Sequence, residues 1–419
     1  MSQAKKFFIP AGIGIALFAS LTAGVVLRDR TDKGVLPDPD ASRSILASKI
    51  DERGDVPAGD YFFDLAELLR DAYVDPVRDE QKLAVGAVRG MVASLADPDS
   101  AFFTPDQLKS YRNQLKGTYE GIGVEVILQL TEDQRKIIQD RKRVTDFVQI
   151  APSLVVTAVM PGSPAEQAGL QAGDRVRAID GKWAVTKETI EEFRALQAQV
   201  AEGKLPEAEI DELREQLAQK AKSGITAARA REKMILGRSG EIELAILRKG
   251  EPLTIKVNKG VTQVKAVRPA GDAFRLQMIE GAAAELKKLV TNQTELTLDL
   301  TQSGEGSLAE LRRVFEVLAA PGEIGTLVNE RKKPPVSIVV EKGNPQPPAL
   351  TLVVDDTTRG AAEMLALALS TRGQAKLQGS RMAGDRTYNE LKVLPDGSGY
   401  LLPVGKFRPA LPAAAEVKS

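Results

Sequence analysis

Residues Gly162–Gly181, GSPAEQAGLQAGDRVRAIDG, decide the fold of this chain. With the apolar run SLVVTAV (153–159) before it, the stretch runs strand, turn, short helix, turn, strand. Working outward, GIGVEVIL (Gly121–Leu128) is a strand, and EIELAILRKGEPLTIKV (Glu241–Val257) is a hairpin. Its Ile242, Leu244 and Ile246 alternate, and Lys249-Gly250 forms the turn. Between these pieces, residues 186–235 are highly charged with helical periodicity, broken at Gly203–Pro206. Residues 117–262 therefore form one β-rich domain with a helical insertion at about 186–235. That insertion is either a solvated hairpin or a partner-binding arm with Ile210, Leu213 and Leu217 on one face.

The flanks have other rhythms. Residues 58–116 are helical, with stripes Phe63, Leu65, Leu68, Leu69 and Val85, Val88, Met91, Val92, Leu95, and Thr104 caps the next helix before Pro105. Residues 263–410 alternate strand and helix, Leu296–Leu300 then Ser307–Ala319, and Leu350–Val354 then Ala361–Ser370. This is the rhythm of an α/β layered core. Residues 411–419 are a tail and 31–57 a linker rich in Asp, Pro, Gly and Ser. Within residues 1–30, Phe7–Leu27 has no charge; at about 1.5 Å per residue, a helix of that length spans roughly a bilayer core. Lys5 and Lys6 precede it, which points to a single-pass membrane anchor with an exported, cell-envelope body; a cleaved signal peptide is the alternative. The fold class is α/β multidomain.

Absences narrow the chemistry. The 419 residues contain no cysteine and no histidine. Ser-His-Asp and Cys-His catalysis are thereby removed, as are the imidazole ligands of most zinc sites, so neither metal nor cofactor is expected. Lys+Arg and Asp+Glu both number 57, which leaves no basic footprint for nucleic acid.

Ser163-Pro164-Ala165, Ala168-Gly169-Leu170 and Gly173-Asp174 strongly resemble a PDZ domain of the bacterial exported-protease type. The resemblance implies capture of peptide or protein C-termini, the carboxylate cradled on backbone N–H groups of Gly121, Ile122, Gly123 and Val124. The order LADPDS, FFTP, YEGIGVEV, PDZ pattern, α/β core extends it to the carboxyl-terminal processing (tail-specific) serine proteases. That family cuts with a serine at a strand-to-helix junction and a neutral lysine as base, so a histidine-free chain is no obstacle. On the family's pattern LVVDDTTRGAAEMLALAL (352–369) is the junction, which puts Gly360 at the nucleophile and Asp385 at the lysine. The oxyanion segment falls on Thr301–Gly306, with Glu305 opposing the negative charge it should stabilise.

The resemblance thus implies a pseudoprotease with no catalytic residues at the dyad positions, which binds C-termini as a scaffold or regulates an active relative. The alternative is an active serine-type endopeptidase with a relocated dyad, Thr357 or Thr358 with Lys376; the plain reading of those three is solvated loop and strand-edge residues. Asp355 and Asp356 are expected to cap the helix that follows.

Overall fold

The computed structural model describes residues 58–411 apart from 76–79, 96, 98, 140–150, 203–205, 292, 305 and 330–333. Phe7–Leu27, the linker, Glu305 and the tail beyond residue 411 lie outside the described residues. No helix among the described residues is long and apolar enough to cross a membrane. The chain divides after Ser94 into two bodies. The first contains α1 (Ala58–Ala72) and α2 (Glu80–Ser94), which carry the two apolar stripes.

The second body begins with β1 (Ala101–Phe103) and α3 (Pro105–Leu115). Thr104 caps α3 through a reciprocal box, accepting from the Gln107 N–H while the Gln107 side chain accepts from the Thr104 N–H at 2.9 Å. β1 pairs with the last strand of the chain, Ala101 opposite Leu401, so residues 101–115, expected with the N-terminal helices, belong to the C-terminal body.

A β-rich module follows. It comprises β2 (Thr118–Gly121), β3 (Val124–Gln129), α4 (Glu132–Gln139), β4 (Ser153–Val159), α5 (Pro164–Gln167), β5 (Arg175–Ile179) and β6 (Lys182–Val185). Then come α6 (Lys187–Glu202), α7 (Glu207–Ser223), β7 (Ile225–Thr226), α8 (Ala227–Ile235), β8 (Glu241–Arg248), β9 (Glu251–Asn258) and β10 (Gly260–Gln263). β3, β4 and β5 pair antiparallel in turn, β8 joins β5, and β9 joins β8. Alternation along β8 puts Ile242, Leu244 and Ile246 in a core with Ile122, Leu154, Val156, Val176 and Ile179. The Lys249-Gly250 turn has positive φ at both positions, 53° and 92°, as a two-residue hairpin of matching twist requires. Entering strand β2 pairs antiparallel with leaving strand β10, which holds the two ends of the module together. That pairing lets it sit as an insertion in a larger domain.

The charged stretch 186–235 proves to be two things. Only α6 and α7 form the helical pair, and both pack on β6; α8 buries Ala227, Ala230 and Met234 in the β-rich module. The charge pattern hid this because α8's polar face is fully decorated while its apolar face is built mostly from alanine. Ile210 and Leu213 on α7 are half-buried, and the Leu217 side chain lies outside the described set.

The C-terminal part continues with β11 (Val267–Ala270), β12 (Ala273–Leu276), α9 (Ala282–Val290), β13 (Glu295–Asp299), α10 (Leu308–Leu318), β14 (Gly322–Val328) and β15 (Val336–Val340). It ends with β16 (Ala349–Val354), α11 (Gly360–Thr371), β17 (Ala375–Gly379), β18 (Thr387–Val393) and β19 (Gly399–Pro409). One sheet has the order β11-β12-β13-β16-β17, parallel from β12 to β17. The other has the order β1-β19-β14-β15, with β18 on β19. Leu298, Leu352, Phe315, Leu365 and Phe407 join the two sheets and their helices in one core. α11 is apolar around most of its circumference because it is buried almost entirely. The α/β multidomain class read from the sequence is the one observed.

Candidate functional site

In an open parallel sheet, ligands meet the carboxyl ends of the strands, where loops leave toward the helices. Here the loops after β13 and β16 are laced together. The Gln302 N–H donates to Thr357 Oγ1 at 2.6 Å, Thr358 Oγ1 donates to the Leu300 carbonyl at 3.1 Å, and the Arg359 N–H donates to the Ser303 carbonyl at 3.2 Å. A third segment closes on them. The Gly360 N–H donates to the Asp385 carbonyl at 2.9 Å, and the Asp385 N–H donates to Glu363 Oε2 at 2.9 Å. The two positions assigned to the dyad are therefore brought together, 25 residues apart in sequence and one hydrogen bond apart in space.

Gly360 begins α11 with φ of 53°. That left-handed backbone is the one a nucleophile elbow imposes on its serine. At 360 there is no hydroxyl, and at 385 there is a carboxylate rather than an amine. Arg359 pairs with that carboxylate and lies 3.8 Å from Asp99. All three charged groups are mostly buried, so the cluster is held largely out of water. Beside it a cavity of about 30 Å³ is lined by Gly306, Gly360, Asp385, Tyr111, Tyr388 and Asn389, among others. Glu363 is buried on α11, and burial pushes its carboxyl above the usual range despite the N–H groups of Asp385 and Gly384 that favour its charge.

The relocated dyad fares poorly on geometry. Thr358 is fully buried, not the solvated loop residue expected, and its hydroxyl is already a donor to Leu300 and an acceptor from the Asp355 N–H. Lys376 is exposed on β17 in register with Thr351, three residues before Val354 ends β16. That places it roughly 10 Å back along the sheet from the loop end, at about 3.3 Å per residue. Among the described residues no lysine amine hydrogen-bonds a serine or threonine hydroxyl; the bonded lysines reach carboxylates or a carbonyl. Asp355 does not cap α11. It organises its own turn, accepting from the Thr357 N–H and hydroxyl, and α11 starts at Arg359 without a side-chain cap. Sequence reading missed Arg359; the one available signal was a lone cation between DDTT and Gly360.

The second site is the module's carboxylate cradle. Among the described residues β3 pairs only with β4, so its other edge is where a peptide strand would add. The Gly121 N–H donates to the Gly237 carbonyl at 2.7 Å, and the Ile122 N–H donates to the Met234 carbonyl at 2.9 Å. Two of the four cradle residues thus have their donors on carbonyls at and just past the end of α8. Gly121 has φ of 80°, and a Cβ there would lie 2.1 Å from the Met234 oxygen, so only glycine permits this approach. The closing segment is itself clamped. Arg238 grips Glu120 at 2.9 and 2.7 Å, the Ser110 hydroxyl donates to the same carboxylate at 2.7 Å, and Lys259 donates to the Leu236 carbonyl at 3.0 Å. Burial alone would raise the Glu120 carboxyl, but the bonds from Ser110 and Arg238 hold it below its usual range. Behind the cradle, Ser163 caps α5 by accepting from the Glu166 N–H, and buried Asp174 is held by a bidentate Arg248 at 2.8 and 2.7 Å.

Family models agree with this division. The PDZ domain matches residues 155–205, and peptidase family S41 matches residues 272–411. Over most of its length the chain resembles the carboxyl-terminal processing peptidases, and residues 272–411 carry the match to family S41. It is 25% identical over 334 residues to the carboxy-terminal processing protease CtpA of Bacillus subtilis, covering 78% of this chain and 60% of that protein. It is 24% identical over 332 residues to a probable CtpA-like serine protease of Staphylococcus haemolyticus, covering 76% and 54%. The chain spans little more than half the length of these curated relatives. Among solved structures, the photosystem II D1 C-terminal processing protease shares the fold, with a TM-score of 0.54, 20% identity, and 88% and 87% of the two chains covered. Within the S41 domain, Gly360 and Asp385 stand in the matched residues; the cradle Gly121–Val124 lies upstream of the matched PDZ residues.

Proposed function

We propose that this chain is a non-proteolytic S41-type protein, held at a membrane by Phe7–Leu27 with its body exported, that binds protein or peptide C-termini through its PDZ domain. It serves as a scaffold, or as a regulator of an active relative that takes the same tails. One observation carries the reading: the Gly360 N–H and the Asp385 carbonyl meet at 2.9 Å, yet neither residue offers a nucleophile or a base, and Arg359 neutralises the carboxylate. The aspartate is tied to a guanidinium and has no serine hydroxyl at position 360 to activate.

Binding at the cradle then requires the end of α8 to yield. The Met234 and Gly237 carbonyls must release the Ile122 and Gly121 donors before a carboxylate can take them. Affinity is reduced by the fraction of molecules that are open.

The test uses the purified full chain with a C-terminally tagged protein substrate and a covalent serine-hydrolase probe. Neither cleavage nor labelling is expected. Cleavage that disappears in Thr358→Ala or Lys376→Ala would establish the relocated dyad instead. Peptides with free and amidated C-termini complete the test, since a working cradle prefers the free acid and a closed one shows no difference.

A further inference from the structure

On one face of the parallel sheet, three charged residues stand side by side. Arg268 on β11 is directly opposite Arg275 on β12, and Arg275 is in register with Asp299 on β13. Residues directly opposite on neighbouring strands share a face and stand about 5 Å apart at Cβ, where like charges destabilise the pair. The aspartate serves only one of the arginines. Asp299 Oδ2 accepts from both Arg275 Nε, at 2.8 Å, and Arg275 Nη2, while Oδ1 accepts from the Thr301 N–H at 2.9 Å and hydroxyl at 2.6 Å. Arg275 also donates to Thr301 Oγ1 at 3.0 Å.

Arg268 is left with no ion pair among the described residues. Its Nε is shielded from solvent and no protein group accepts from it. Glu166 of α5 acts on it electrostatically but is not within ion-pairing distance, and one of that residue's oxygens, Oε2, accepts from the Gly162 N–H at 2.7 Å. Burial first and Arg275 second disfavour the charge on Arg268. Two guanidiniums share one saturated carboxylate within hydrogen-bonding reach on a partly exposed face, with Glu166 farther out. Nothing in the hydrogen bonding of the fold explains why a second arginine stands there.

We propose that Arg268 and Arg275 form an anion site that takes one carboxylate, with Arg268 supplying the planar fork and Arg275 the second charge. The two parallel donors of a guanidinium fit a carboxylate bidentately. The carboxylate comes from a peptide, either its C-terminus or an Asp or Glu side chain. The inference does not rest on the absence of proteolysis, and the site uses none of the cradle or dyad residues.

Selective ¹⁵Nε-arginine labelling of the full chain reads the site directly. Sodium acetate, against chloride at equal ionic strength, is expected to shift the Arg268 and Arg275 Nε signals saturably. Arg268→Lys keeps the charge and loses the fork, and is expected to weaken acetate by about tenfold; Arg268→Gln removes both. Short alanine peptides distinguish the sources: free acid binding over amide assigns a C-terminus, and a glutamate-containing amide binding as well as the acid assigns a side chain. Absence of a saturable shift, an unchanged affinity in Arg268→Lys, or inorganic phosphate binding more tightly than acetate would overturn the assignment. The wild-type titration decides the matter even where a variant fails to fold.

Discussion

The PDZ module and the S41 domain differ in what their assigned site positions offer. In the module the residues suited to recognition are present, Gly121-Ile122-Gly123-Val124, but the backbone turns two of their donors onto α8's end. In the S41 domain a left-handed glycine stands at the strand-to-helix junction, one hydrogen bond from residue 385, and the two positions assigned to the dyad hold glycine and aspartate. The first feature is one of backbone conformation. The second is one of residue identity. A scaffold that positions chemistry and the chemistry itself are thus encoded separately, the scaffold in dozens of apolar positions and the chemistry in two.

The largest test of that separation lies in the cores. Phe315 is fully buried in the S41 cluster, which is distinct from the cluster built on Ile122 and Leu244. Phe315→Ala is expected to cost about 3–5 kcal/mol. Hydrogen exchange followed by mass spectrometry should show the loss of protection in the S41 sheets and not in β3, β4 and β8. Equal loss in both would mean that the two regions fold as one unit, and the contrast between them would fail.

Gly121→Ala tests the closed cradle. Its Cβ would press on the Met234 oxygen at 2.1 Å in a backbone region that side chains rarely adopt. A loss of about 1–3 kcal/mol is expected from the urea midpoint. A neutral result would show that α8's end moves away at little cost and that the cradle is open in solution.

Asp385→Ala asks what the ion pair contributes. It takes one carboxylate from the mostly buried Arg359, with Asp99 still at 3.8 Å. A partly buried charge that loses a carboxylate costs about 1–3 kcal/mol, and Asp385→Ala combined with Arg359→Ala should recover part of it. If the double variant is no better than the single, the pair is decoration and Gly360 alone distinguishes this site.

The sequence made the fold legible because apolar periodicity and turn residues act locally. The 162–181 pattern, the β8–β9 hairpin and the β13, β16 and α11 boundaries all follow from such short-range signals. Residues 101–115 and α8 were misplaced because their allegiance is set by distant partners, β19 for the former and β2 and β3 for the latter. The candidate site divides the same way. Gly360 and Asp385 were singled out by matching the family's motif, whereas Arg359's pairing, Thr358's burial and the inward turn of the cradle arise from loops that meet only after folding.

The smallest expected effect concerns pH and the helix that follows Gly360. Glu363 is buried on α11, and burial, with Asp385 adding to it, holds its carboxyl pKa above the usual 4.5 despite N–H groups that pull the other way. A raised carboxyl favours folding where the group is protonated in both states, below its unfolded value. That favourable contribution disappears as pH rises through the raised folded value, because the unfolded chain ionises freely while the fold resists. Glu363→Gln retains an oxygen to accept from the Asp385 N–H and has no charge to bury. The variant should match the native chain in urea midpoint in acid, below pH 4.5, and exceed it at neutral pH. A variant less stable at neutral pH would mean that the ionised carboxylate is needed by the 383–387 segment, and the region would then hold a working anion beside an unreactive glycine.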